Sequence, residues 1–180
     1  CLRMLDPFVP MLTACVCYCR DTEVALAALK CLLVLLRADL PSIQSCSKVL
    51  GSKILTLLTT VGPSRHTNHD LMQACFKALT HLIGSETKNQ VSEDFSNTAP
   101  KMVEKSERVI TGSLLLNTEQ MNVLIGFIQA TITESDQHNP ALNLIKVILK
   151  RQYVSSEFYV LMESMTRIIV RSPKATLRQV

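Results

Sequence analysis

Residues Thr22 to Ala38 read TEVALAALKCLLVLLRA. Asp21 or Thr22 offers an N-cap oxygen, and Glu23 lies in the first turn, where the helix dipole favours a carboxylate. Val24, Ala28, Cys31, Leu32 and Leu35 then fall on one helical face, and Ala25, Leu29, Leu33 and Leu36 on the neighbouring one. A helix apolar over most of its circumference is buried on several sides. The run from Val24 to Leu36 is interrupted by Lys30, stops at Arg37, and falls short of the ~18–20 apolar residues that span a bilayer. No membrane segment is therefore expected, and the stretch reads as an inner element of an all-helical protein.

The same grammar extends in both directions. Upstream, Leu5 to Pro10 (LDPFVP) opens a helix, with Asp6 as its expected N-cap and Pro7 in its first turn, running to about Tyr18. Downstream, Asp39 to Ser42 (DLPS) breaks the chain, and a third helix runs to about Thr60, with Gly51 a weak position inside it. Residues 62–68 form a loop. A fourth helix runs from about Asn68 to Ile83, and Gly84 is expected to end it. Residues 85–113 then turn polar and rich in Ser, Glu, Lys and Asn, which reads as a mobile insertion with a short helix near Met102 to Ile110. Asn117 or Thr118 caps the next helix, Pro140 opens another that ends near Arg151, and a further one spans about Ser156 to Val170. Ser172 and Pro173 begin one more.

These helices alternate between short turns and longer connections. Pairs start near Leu5, Ser42, Thr118 and Ser156. Two of the three intervals are about 38 residues and the middle one is about twice that, the period of HEAT or armadillo repeats. The expected fold is an all-α, HEAT/armadillo-like superhelical solenoid: two repeats over residues 1–84, the polar insertion over 85–113, and one full and one truncated repeat over 114–180. An irregular helical bundle is the rival arrangement. Strand-like alternation is absent. The chain starts at Cys1 and stops in mid-pattern. Its 47% hydrophobic and 19% charged composition suits a fragment of a larger repeat protein whose ends are covered by neighbours.

Chemistry is scarce. Residues 14–19 read ACVCYC, but on a helix Cys15 and Cys19 share one face while Cys17 points to the other, so one metal cannot take all three. Packing is the expected role for these, and for Cys31, Cys46 and Cys75 in helix interiors. All seven cysteines lie at or before Cys75, so no disulfide framework spans the chain, and the pattern favours a reducing compartment. His66 and His69 lie near Asp70, but no second ligand pair accompanies them. The glycines are isolated, so no phosphate-cradling loop exists, and no serine sits in a nucleophile elbow. No catalytic residue, cofactor, metal or small-molecule substrate is expected.

Basic residues gather late in the chain: Lys146, Lys150, Arg151, Arg167, Arg171, Lys174 and Arg178. Lys146 and Lys150 share a helical face, as do Arg167 and Arg171. Stacked repeats can align such residues into a stripe that meets phosphates or an acidic protein, or can leave them as a solvated face tempered by Glu157 and Glu163. The net charge of +4 is too mild to mark a dedicated nucleic-acid-binding domain.

Three short blocks carry a resemblance: Leu5 to Leu12 (LDPFVPML), Ala28 to Leu32 (ALKCL) and Leu40 to Ser42 (LPS). A second region, Leu124 to Val154 with Ala141 to Arg151 (ALNLIKVILKR) at its centre, extends it over somewhat more than half of the chain. The sequence resembles the "down-regulated in metastasis" family, the very large HEAT-repeat proteins of the small-subunit processome associated with the box C/D snoRNP. It departs from that pattern in residues 85–113, where an acidic, Ser/Asn-rich insertion replaces a compact link. The resemblance implies a nucleolar, nuclear scaffold that contacts pre-ribosomal RNA and other processome proteins, has no active site, and supplies no catalytic residue to transfer. Two other helical roles fit the same pattern: a transport-receptor-type protein-binding module, and a helical scaffold flanking the catalytic domain of a large kinase-like protein.

Overall fold

A computed structural model of the chain describes residues 2–38, 40–61, 69–93, 115–134, 139–151 and 155–171. Seven α-helices and no strand occur among them: α1 (Phe8–Tyr18), α2 (Thr22–Leu35), α3 (Pro41–Val61), α4 (His69–Glu93), α5 (Thr118–Glu134), α6 (Asn139–Lys150) and α7 (Ser156–Arg171). Short 3-10 turns lie at Leu2–Leu5 and Leu36–Ala38. The expected short helix at 102–110 and the helix after Ser172 lie outside the described residues, as does most of the polar insertion.

Local chemistry explains most of the boundaries. Asp21 is the N-cap of α2, its Oδ1 accepting from the Glu23 N–H at 2.8 Å. Asn117 and Gln120 form a reciprocal capping box at the start of α5. The Gln120 N–H donates to Asn117 Oδ1 at 2.7 Å, and the Asn117 N–H to Gln120 Oε1 at 3.0 Å. Two expectations fail. Asp6 does not cap α1, whose N-cap residue is Pro7 and has no side-chain cap bond. Its carboxylate reaches α3 instead, accepting from the Ser42 N–H at 3.0 Å and the Ser42 hydroxyl at 2.7 Å. An unsatisfied helix N-terminus next door is a better partner for an anion than its own already turning backbone. Gly84 does not end α4, which continues to Glu93. The glycine lies against α6, where a Cβ would sit 3.9 Å from Val147 Cγ1.

The helices pack in two rows. In one row α1 lies against α3, α3 against α5, and α5 against α7; in the other, α2 lies against α4 and α4 against α6. Rungs join the rows where α1 meets α2, α3 meets α4 and α5 meets α6. Between them runs one continuous core that includes Leu29, Leu32, Ile54, Leu58, Leu79, Ile83, Leu124, Ile128, Leu144 and Ile148, all 2% exposed or less. Each such side chain contributes about 1.5–3 kcal/mol on burial. Phe76 of α4 and Phe127 of α5 meet across the rows in a tilted ring pair with centroids 6.0 Å apart. Gly51, read from the sequence as a weakness of α3, is instead a seat: Leu115 packs so closely that a Cβ would lie 2.9 Å from its Cγ.

The α1/α2 end of the stack is open. Phe8, Met11 and Tyr18 form an exposed line on α1, a helix without a single charged residue. Val24, Cys31 and Val34 form a second line on α2. The expectation that α2 is enclosed on several sides therefore holds only toward α1 and α4. Cys31 is exposed, whereas Cys75 is buried and Cys15, Cys17, Cys19 and Cys46 are half-buried. No helix among the described residues is long and apolar enough to cross a membrane.

Candidate functional site

The two-row packing divides the late basic residues between two surfaces. Lys146 and Lys150 stand exposed on the outward side of α6, in the even row. Arg151 follows directly but turns inward: it is half-buried, and its Nε donates to the Ile83 carbonyl of α4 at 3.0 Å. Arg151 thus ties α6 to α4 and is not a free contact. Arg167 belongs to α7, in the odd row, where its Nη2 donates to Glu163 Oε1 at 2.7 Å one turn earlier. Arg171 ends α7 with its side chain outside the described residues, and Lys174 and Arg178 also lie outside them. Of the four whose side chains are described, Lys146 and Lys150 lie exposed in the even row, Arg151 packs inward, and Arg167 lies in the odd row.

Other cations join Lys146 and Lys150 instead. Lys30 and Arg37 on the α2 side, and Lys77 on α4, are exposed along the same even row. Contacts show that the neighbours run in step. Lys30 Nζ lies 3.5 Å from Asp70 Oδ2 near the start of α4. Farther along both helices, the charge of Arg37 bears on His81. Burial, and then that charge, hold the His81 imidazole below its ordinary value. Of the carboxylates on the even helices, Glu23 and Asp70 lie in first turns, while α4 carries Glu86 and Glu93 in its last turns. Sequence reading missed this grouping because Arg37, Lys77 and Lys146 are far apart in the chain. The available signal was each cation's place opposite the apolar face of its own helix.

The remaining polar groups mostly serve packing. Gln120 Nε2 donates to Ser52 Oγ at 3.1 Å, linking α5 to α3, and Gln129 Nε2 donates to Ser164 Oγ at 3.1 Å, linking α5 to α7. Asp70 faces Lys30, while His69 Nε2 is hydrogen-bonded to Gln73 Nε2 at 2.7 Å. His66 lies outside the described residues. Burial pushes the Cys75 thiol up to about 12, far from a reactive thiolate. Cys17 is also raised, by burial first and by neighbouring Cys46, with Lys53 opposing. No group of three or more His, Cys, Asp or Glu side chains placed to hold a metal occurs among the described residues.

No protein-family model matches the chain, and no solved structure matches it significantly.

Proposed function

We propose that this chain is a non-catalytic scaffold segment of a HEAT- or armadillo-type solenoid. In this reading it acts in the small-subunit processome of the nucleolus and supports pre-ribosomal RNA processing through contacts with RNA, the box C/D snoRNP and other processome proteins. The observation that supports the scaffold part is the two-row stack, in which successive helix pairs add layers; stacks of this kind present extended outer surfaces. Such surfaces suit large partners, not small substrates. The processome part rests on the LDPFVP and LPS blocks. Their spacing has a physical role here, because Asp6 of the first block holds the N-terminus of α3 at Ser42 of the second.

The test is sedimentation of the tagged full-length protein from a nuclear extract, with and without ribonuclease, followed by sequencing of co-purified RNA. A large ribonuclease-sensitive particle carrying pre-ribosomal and box C/D RNA is the expected result. A particle unchanged by ribonuclease and containing only proteins overturns it. That outcome favours a protein-docking module of transport-receptor or kinase-scaffold type, for which the open apolar line of Phe8, Met11 and Tyr18 is the supporting observation.

A further inference from the structure

We propose that the outward side of the even row is a binding surface for the phosphate backbone of nucleic acid, with Arg37, Lys77, Lys146 and Lys150 as its contacts. The kind of partner rests on the scaffold reading above; the place rests on the even row alone. Exposure, packing and level support it. All four cations are exposed, and they come from three consecutively packed elements. Packed helices lie about 8–10 Å apart, so the charges are spread along a path and not gathered at a point. Their levels match: the turn that carries Arg37 packs against α4, where its charge bears on His81, one turn beyond Lys77, while Arg151, next to Lys150, bonds to Ile83. The group therefore falls within about two helical turns along the axes, or ~11 Å.

Two carboxylates of the even helices stand apart from these cations. Asp70 is occupied by Lys30, and Glu23 lies in the first turn of α2. Among the described residues, this surface has exposed aliphatic side chains at Val34 and Leu149 but no exposed aromatic anchor of the kind protein interfaces favour. The exposed aromatic residues among those described, Phe8, Tyr18 and Tyr159, all belong to odd helices, and lysine, which supplies three of the four cations, is depleted in protein interfaces. The same lack of aromatic platforms argues against base stacking and for sequence-independent backbone contact.

The experiment uses fluorescence anisotropy of a labelled single-stranded RNA, and of DNA of the same sequence, against the 180-residue chain over a range of salt concentrations. Poly-glutamate serves as a competing polyanion. The quadruple variant R37Q/K77Q/K146Q/K150Q is compared with the charge-matched R3Q/R20Q/K48Q/R167Q, whose sites lie along the odd row and the α1–α2 turn. Because all eight residues are exposed, both variants are expected to fold, as circular dichroism will check.

The even-row variant should lose at least about tenfold in affinity, and its log–log salt slope should fall by roughly 2–3, near 0.7 per lost phosphate contact. The charge-matched variant should keep the wild-type slope. Equal binding of RNA and DNA supports the backbone reading, and a preference for RNA supports it while naming the source. Absence of binding at low salt, equal losses in both variants, or tighter binding of poly-glutamate than of either nucleic acid overturns it. If the particle carries pre-ribosomal RNA but the even-row variant binds as wild type, this surface fails alone. If the surface binds RNA but the particle is not pre-ribosomal, the processome reading fails alone.

Discussion

Asp6 is the residue whose role differs most from its local pattern. A carboxylate one residue before a proline looks like a cap for the helix that follows. Here it satisfies the N-terminus of the neighbouring layer, bonding both Ser42 N–H and Ser42 Oγ. Charge-assisted bonds of this kind contribute about 1.5–3 kcal/mol each at best, less where solvent reaches them. Asp6→Ala should therefore lower the stability of the chain by about 1–3 kcal/mol, measured by urea denaturation, and Ser42→Ala by less, because the backbone N–H bond survives. Little further loss from Ser42→Ala in the Asp6→Ala background would show that the two share one interaction.

Gly51 supplies a second residue-scale test. Gly51→Val inserts bulk where Leu115 already sits and should cost about 1–3 kcal/mol. Combining it with Leu115→Ala should recover part of that loss, which a simple helix-propensity effect would not do.

At the scale of elements, helix existence was legible and helix partnership was not. The caps at Asp21 and Asn117 and the proline at Pro140 mark helix starts through chemistry contained in a few neighbouring residues. Gly84 misled for the same reason: a glycine after an apolar run followed by polar residues looks like a stop, and nothing nearby in the sequence reveals that α6 lies against it. The candidate surface was half-legible. Lys146 and Lys150 show themselves by spacing, but Arg37 and Lys77 join them only through helix packing. Arg151 looks like their companion and is withdrawn by its bond to Ile83.

The contact between the end of α2 and α4 also makes a pH prediction. His81 has its folded value lowered by burial and by Arg37. As pH falls through about 6.5, the unfolded chain takes up the proton first. Stability contributed by neutral His81 should thus be present above that pH and decline below it. The urea midpoint should drop between pH 7.5 and pH 5.5, and His81→Gln should flatten that part of the profile.

For the whole molecule, the principal contacts join each helix only to its neighbours along a row and to its partner across. Damage should therefore stay local. Leu161→Ala in α7 removes a fully buried side chain and should cost about 2–5 kcal/mol within its own layer. Hydrogen exchange should then speed up in α7 and α5 while α1 and α2 keep their protection. Uniform loss of protection throughout the chain would instead mean that the layers unfold as one unit.

The same wiring has a mechanical side. The junctions between layers, bridged by contacts such as the Asp6–Ser42 clasp or the Gln129–Ser164 bond, follow one another in series. Slight rotations at successive junctions add, so a stack of this kind bends and stretches as a spring does, with no single joint moving far. On the scaffold reading proposed above, a body built this way would follow the contour of a large partner as that partner changes shape.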